Sequence, residues 1–477
     1  MALSCPIRAG ATKQPEALAL TFRGQRWTYR ELDEEVGRWV AALQARGVGA
    51  GDRVALLATN HAAGVCLFFA LGRVRAVLAP LNARLTQAEL RPLVEDVNPS
   101  LTLALEGLGA RLPGAEPLES FAATQSSSRH SEALDENTPR VVLFTSGTTG
   151  RPKGAVLTEG NFRASARCSA ANLGAHPAPR WLGTLPLFHV GGLAMLTRTA
   201  YDGGCLVLQE RFEPEEVSRA IDAEGITHAS FVATTLERLL ESRSDRPVPF
   251  SLLALIGGGP VSSPLLARAR AAGILALQTY GLTEACSQVA TERPGEADGR
   301  TAGPPLPGLE VRITGPGGEV LGQGREGDIE VRGPTVMAGY LDRPEATREV
   351  LRDGWLRTKD MGVLDERGRL TILSRRTDLI VRGGENIYPA EVESVLSSHP
   401  AVQESAVVGV PDARWGEVPV AFVVTRGGSP LPEGLEAWCR QSLAGFKVPA
   451  RIQAIESLPR NAMGKVERTV LRGLATR

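Results

Sequence analysis

The chain has few cysteines, no net charge and no long apolar run, and each lack excludes something. Its six cysteines (Cys5, Cys66, Cys168, Cys205, Cys286 and Cys439) are scattered, with no CxxC pair and no histidine at zinc-ligand spacing. A disulfide framework or a metal cluster is therefore not expected, and a reducing cytoplasm fits. No stretch approaches the ~18 apolar residues that a membrane helix needs. The N-terminal "MALSCPIRAGATKQPEALAL" lacks an apolar core of signal-peptide length. These absences lead us to expect a soluble cytoplasmic protein with no membrane partner. Because 53 Lys+Arg balance 53 Asp+Glu, no global field gathers nucleic acid or an anionic surface, and any bound anion must be held locally. No internal repeat is found.

What is present describes an ordinary globular protein. With 43% hydrophobic and 22% charged residues, the composition is that of a packed chain. A length of 477 residues exceeds what one core usually serves, so at least two domains are expected. Short β-branched runs alternate with amphipathic segments over the first 280 or so residues, the pattern of parallel strands joined by helices. "YRELDEEVGRWVAALQARG" reads as one such helix, with Thr28 as cap, Glu31 three residues on and Gly47 as stop. "RVALLAT" (53 to 59) follows as a buried strand. "LVLQE", "EPEEVSRAIDAEG", "ITHASFV", "TTLERLLES", "LLALIGGG" and "SSPLLARARAAG" repeat the alternation.

Residues 109 to 138 read as a surface connection, since "TQSSSRHSEALDENTP" has little to bury. From about 300, Gly/Pro-spaced short strands ("LEVRIT", "GDIEVRG", "RLTILS") predict a β-rich subdomain. A last change near "SRRTDLI" precedes about a hundred residues with their own strands and helices, enough for a small α+β domain. The fold class is α/β: a large N-terminal domain of mixed and parallel sheets over 1–374, a hinge at 375–379, and a small mobile lid over 380–477.

One stretch stands out chemically, "LFTSGTTGRPKGAVLT" (143 to 158). An apolar run, "RVVLF", leads into a turn whose glycines let backbone N–H groups approach a ligand. Thr145, Ser146, Thr148 and Thr149 add hydroxyl donors around Gly147, and Lys153 adds a positive charge. The combination suits phosphate oxygens, although the same composition also makes a plain surface loop. It is not a Walker A loop, because Pro152 stands where the second glycine would be needed.

"TSGTTGRPKG" resembles the phosphate loop of the adenylate-forming superfamily of acyl-CoA and aryl-CoA synthetases, peptide-synthetase adenylation domains and luciferases. Further parts of that family's pattern recur in order: "LPLFHVGG", "GGGP", "TYGLTEACSQ", "DGWLRTKDMG", "SRRTDLIVRGGENIYPAEVE" and "PRNAMGKVER". The resemblance spans nearly the whole chain. It implies two half-reactions, in which a carboxylate attacks the α-phosphate of ATP to give acyl-AMP and pyrophosphate, and a thiol then displaces AMP. An anion approaching a polyanion is repelled, so positioning and well-placed cations carry such catalysis.

By motif position, Thr145 to Thr149 and Lys153 would hold the β- and γ-phosphates, Thr283 the α-phosphate and Glu284 a Mg²⁺ ion. Lys465 matches the lysine that bridges carboxylate and α-phosphate; alone it would read as a solvated tail charge. Asp360 and Arg375 match the ribose contacts, and Gly257, Gly258 and Gly259 with Tyr280 would pack on adenine. Thr377 falls at the hinge position, and Gly383 and Gly384 would be brought towards the path of the pantetheine thiol or form a tight turn, two readings that are compatible. His189 matches a histidine between the carboxylate site and the thiol tunnel, or is a core imidazole. One departure is Lys359 where the family has glycine, which costs about 1 to 2 kcal/mol if the backbone needs a positive φ.

Among subfamilies the chain resembles most the o-succinylbenzoate-CoA ligases (MenE) of menaquinone biosynthesis, through "RWLGTLPLFHVGGLAML", "LIGGGPVSSPLL", "YGLTEACSQ", "RRTDLIVRGGENIYPAEVESVLSSHPAV" and "LPRNAMGKV". The resemblance implies a small aromatic carboxylic acid, ATP, Mg²⁺ and coenzyme A as partners, with a homodimer the common assembly. The substrate's second carboxylate wants an anion site, for which Arg238 is the candidate, with Ser287 and Gln288 at the pocket wall. Two alternatives stay open. One is a ligase for a benzoate or anthranilate type acid, or for a carrier-protein acceptor; the other is a non-catalytic binder of nucleotide or acyl-adenylate.

Overall fold

A computed structural model of the chain describes residues 5–123, 125–130, 135–145, 152–244, 246–258, 261, 263–375, 380–387, 389–459 and 466–476. The chain divides into two compact units. The larger comprises residues 1–83, 94–144 and 154–374, the smaller 84–93, 145–153 and 375–477.

Two largely parallel sheets build the larger unit. The eight-stranded sheet runs, from one edge, Ser287–Thr291, Ile274–Leu282, Leu252–Ile256, His228–Phe231, Arg180–Gly183, Cys205–Leu208, Leu18–Phe22 and Gln25–Thr28. Its six inner strands are parallel and only the two edge strands run against them. The seven-stranded sheet places Pro139–Thr145 between Lys153–Thr158 and Val77–Leu81, with Arg53–Leu57, Leu101–Ala104 and Glu116–Pro117 beyond.

Local sequence explains the helices that cover them. The Thr28 hydroxyl accepts from the Glu31 backbone N–H at 3.2 Å, and the Glu31 carboxylate accepts from the Thr28 N–H at 2.8 Å. This capping box starts the helix Tyr29–Ala45, and Gly47 at φ 75° turns the chain out of it. Its buried face carries Leu32, Val36, Trp39, Val40 and Leu43. The next helix, Ala62–Arg73, is apolar almost all round and buried accordingly. Phe68 there meets Phe69 and Phe162 edge to face, with ring centres 5.2 and 5.9 Å apart.

The expected surface connection over 109–138 is partly structural. Glu116–Pro117 adds a parallel edge strand beside Leu101–Ala104, Leu118 and Phe121 are buried, and the Phe121 ring lies 5.5 Å from that of Trp39. A two-residue strand shows no alternation, so only the apolar residues ahead of the serine run could have marked it.

The β-rich part is an antiparallel sheet of Glu310–Thr314, Gly327–Arg332, Trp355–Leu364 and Leu351–Arg352, joined by Leu370–Arg375. In the smaller unit the long hairpin Val402–Asp412 and Gly416–Thr425 dominates. Period-two alternation sends Val407, Ala421 and Val423 to one face, against the helices Pro389–Ser397 and Leu435–Ser442. Val408, Val420 and Phe422 go to the other face, against Arg468–Ala475. Among the described residues no helix is long and apolar enough to cross a membrane.

Candidate active site

Parallel strands send their exits to one edge, and four neighbours of the eight-stranded sheet do so here. Arg180–Gly183 leads to the segment ending in His189, and His228–Phe231 leads to the helix Ala233–Ser242 that carries Arg238. Leu252–Ile256 leads to Gly257 and Gly258, and Ile274–Leu282 leads to the turn Thr283–Ala285. Residues scattered over a hundred positions thereby share one edge. Asn60, buried at 2% exposure, fastens this edge. Its amide nitrogen donates to the Leu185 and Gln209 carbonyls, both at 3.1 Å, and its oxygen accepts from the Leu187 N–H at 2.8 Å. The segment leading to His189 is held that way, and the His189 ring meets Phe188 at 4.7 Å.

The Thr283–Ala285 turn is strained on its far side. Cys286 has φ 49° and Ser287 φ 90°, unusual for residues with side chains. Gly281 makes this possible, since a Cβ there would lie 1.8 Å from the Ser287 carbonyl oxygen. Glu284 is fixed at both ends. Its carbonyl accepts from the Met337 N–H at 2.9 Å, and its Oε1 accepts from the Tyr340 hydroxyl at 2.9 Å. The same segment pairs with the strand Lys153–Thr158, through Ala338 N–H to Val156 at 3.0 Å and Leu341 N–H to Gly154 at 2.7 Å. Thr145, at the end of its strand, donates from its hydroxyl to the Lys153 carbonyl at 3.4 Å.

Asp360 lies inside the β-rich sheet at 5% exposure, and its Oδ2 accepts from the Tyr280 hydroxyl at 2.6 Å. Tyr280, itself buried, thus joins the adenine-side and ribose-side candidates. Lys359 has φ 64°, the left-handed region in which glycine is free and an L residue pays about 1 to 2 kcal/mol. The pairing with Gly327–Arg332 is irregular there: Arg357 faces Glu330 and Met361 faces Asp328, so Ile329 alone opposes Thr358, Lys359 and Asp360. The Thr358 hydroxyl donates to the Ile329 carbonyl at 2.9 Å and accepts from the Asp360 N–H at 3.1 Å.

The remaining candidates have varied surroundings. Gln288 is buried and donates to the Thr291 hydroxyl at 2.9 Å, while Ser287 is half-buried. Arg238 stands exposed on its helix, its guanidinium carbon 5.4 Å from the Phe212 ring centre. In the smaller unit Gly383 and Gly384 both have positive φ (58° and 86°). The Gly383 N–H donates to the Trp415 carbonyl at 2.8 Å, and a Cβ at Gly383 would come within 2.9 Å of the indole. The backbone of Arg375 ends the strand Leu370–Arg375. Ser146, Gly147, Thr148, Thr149, Gly259, Thr377 and Lys465 lie outside the described residues.

A metal site rests here on few ligands. Among the described residues no group of three or more His, Cys, Asp or Glu could hold an ion. One pinned carboxylate, Glu284, fits magnesium, which keeps several waters and takes phosphate oxygens as its other ligands. Sequence reasoning missed Tyr340 and Asn60. Neither lies in a motif with its partner, and Tyr340 meets Glu284 across 56 positions.

Comparison with known proteins accords with this geometry. Residues 7–341 match the family model described as AMP-binding enzyme, and residues 391–465 match the AMP-binding enzyme C-terminal domain. The chain is 41% identical over 476 residues to a 2-succinylbenzoate--CoA ligase of Geobacillus kaustophilus, covering 98% of this chain and 97% of that one. Among solved structures it resembles the o-succinylbenzoate CoA synthetase (MenE) of Bacillus subtilis. A double mutant of that enzyme bound to the product analogue OSB-NCoA gives a TM-score of 0.93 at 37% identity, over 99% of this chain and 98% of that one. Its complex with ATP and magnesium ion gives 0.76 at 36% identity, over 99% of this chain and 100% of that one.

Proposed function

The chain belongs to the AMP-binding enzyme family, and from that premise we propose that it is an o-succinylbenzoate-CoA ligase. It activates the succinyl carboxylate of o-succinylbenzoate with ATP and transfers the acyl group to coenzyme A, a step of menaquinone biosynthesis. The observation that carries this reading is full-length likeness to ligases of that name, on a sheet edge that presents Thr283 and Glu284 together.

In the first step a carboxylate oxygen attacks the α-phosphorus, the bond to the bridging oxygen of the β-phosphate breaks, and pyrophosphate leaves. Both partners are anions, so the protein's part is to hold them and to neutralise charge as it builds. The turn from Thr145 to Thr149 and Lys153 hold the outer phosphates, Thr283 donates to the α-phosphate, and Lys465 bridges it to the attacking carboxylate. Magnesium, when bound, neutralises phosphate charge, and Glu284 is the carboxylate that would hold it. Asp360 and Arg375 orient the ribose, and Gly257 to Gly259 with Tyr280 line the adenine. In the second step the thiol sulfur attacks the acyl carbon, the bond to AMP breaks, and the thiol proton goes to solvent. Thr377 is the joint for that change of step, Gly383 and Gly384 leave room for the thiol arm, and His189 divides the carboxylate site from it. Ser287 and Gln288 wall the aryl pocket. A cytoplasmic location and a homodimer complete the proposal, the latter tested by sedimentation.

The test is ATP–pyrophosphate exchange with a panel of aryl acids. We expect exchange that depends on o-succinylbenzoate and is lost in Lys465→Ala. Exchange with benzoate alone would reassign the acid, and none with any acid would leave a binding protein. The exposed setting of Arg238 favours a surface role, so Arg238→Ala is expected to raise KM for the dicarboxylate by no more than about threefold, the scale of one exposed pair.

A further inference from the structure

One short helix, Pro344–Val350, reaches both acidic residues of the nucleotide site through intermediaries. Its Thr347 hydroxyl accepts from the Tyr340 N–H at 2.9 Å and donates to the Arg343 carbonyl at 2.9 Å. Tyr340 in turn donates to Glu284 Oε1 at 2.9 Å. Two residues further along the helix, Glu349 Oε1 pairs with the Lys359 ammonium at 2.8 Å, and Lys359 immediately precedes Asp360. The helix sits tight against the Tyr340 turn, where a Cβ on Gly339 would come within 2.8 Å of Thr347 Cγ2.

We propose that Tyr340 and Lys359 are positioning residues, anchored on this helix, that set the carboxylates of Glu284 and Asp360 for magnesium and ribose. The proposal rests on the roles assigned above to those two acids. A glutamate side chain has three rotatable torsions. A hydroxyl donated to Oε1 pins the carboxylate while Oε2 stays available, the way outer hydrogen bonds orient metal ligands. At Lys359 the need is for a backbone conformation. The bulge opposite Ile329 turns Asp360 inward to Tyr280 only while residue 359 stays left-handed. Glycine would adopt that φ without strain but would also leave it readily. The ammonium tied to Glu349 holds the turn from outside. Because that pair is half-exposed (36% and 53% for the two side chains), its contribution is to orientation more than to stability.

Tyr340→Phe, Lys359→Gly and Glu349→Gln test this, with Tm, the Mg²⁺ half-saturation concentration and KM for ATP and for o-succinylbenzoate measured on the full chain. Tyr340→Phe is expected to raise the Mg²⁺ half-saturation roughly tenfold, as loss of a partner behind a metal ligand does, with KM for the acid unchanged. Lys359→Gly and Glu349→Gln are expected to raise KM for ATP severalfold without lowering Tm by more than ~2 °C, the shift of one weak contact. Folded variants with unchanged Mg²⁺ and ATP dependence would overturn the proposal. Glu284→Gln and Asp360→Ala run in parallel separate the causes. If these leave both dependences unmoved, the site assignment itself fails; if they move them and the other three do not, only the positioning role fails.

Discussion

The acidic edge of the larger unit and the glycine turn of the smaller one solve opposite problems. There charge must stay where it is needed, and both candidate acids are tied, Glu284 at the sheet edge and Asp360 inside the β-rich sheet. Glu284 is held by Tyr340 and by Met337, and Asp360 by Tyr280 and by the Thr358 hydroxyl. At the turn, side chains are missing, and backbone alone shapes the surface. Gly383 and Gly384 adopt positive φ and Gly383 lies against Trp415, with no room for a Cβ. On the roles proposed above, the held side chains serve phosphate and sugar, and the missing ones leave a path for a thin thiol arm. Substitutions at the two places should accordingly fail in different half-reactions.

Between the two places, the larger effect is expected from Glu284→Gln, which keeps size and the Tyr340 hydrogen bond but removes the charge. ATP–pyrophosphate exchange should fall on the order of 10²- to 10³-fold, and an exchange rate near wild type would break the comparison from the acidic side. Gly383→Ala comes next. Its methyl meets the Trp415 indole at a backbone angle that L residues avoid, so thioester formation should fall on the order of 10²-fold while exchange stays within about twofold. Equal loss of both half-reactions would deny the turn a separate task.

The smallest effect concerns pH and sharpens the comparison by giving a loss that belongs to neither place. His228, in the strand His228–Phe231, stacks on Trp181 at 4.8 Å and is 7% exposed. Burial first, then His176 and Arg198, push its imidazole down to about 4. The neutral ring is the one the fold prefers, so its contribution is whole above the ordinary value near 6.5 and is lost as pH falls towards 4. Up to about 3 kcal/mol is at stake over that window. Tm should drop between pH 6.5 and 4.5 in wild type and drop less in His228→Asn. Parallel slopes in the two proteins would assign the loss elsewhere.

Much of this molecule can be read from its residues in order. The Thr28 and Glu31 capping box, the buried strand that starts at Arg53 and the short strands in "LEVRIT" and "GDIEVRG" are short-range patterns. Their physics is settled within a few residues, and the structure has them where the pattern puts them. The chemistry-bearing motifs are legible for a similar reason: a glycine-hydroxyl turn or a Thr-Glu pair presents its groups locally. Lys359 could be recognised as a departure, and its cost stated conditionally, before φ 64° was known.

Partners brought together across the chain were not legible. The Tyr280 contact with Asp360 spans 80 positions, Tyr340 with Glu284 spans 56, and Asn60 reaches Leu185 and Leu187 across about 125. A hydrogen bond leaves no periodicity behind it, and either partner alone looks like any buried tyrosine or asparagine. Arg238 shows the converse. Its chemistry recommends it, yet a helix turns its residues 100° apart, and only packing decides that it stands exposed over Phe212. Sequence by itself determined most of the elements, their class and the kinds of group available for phosphate, because those depend on neighbours three or four residues away. Which of those groups are held, and by what, was decided by tertiary structure, because a side chain is fixed only by atoms that folding carries to within about 3 Å of it.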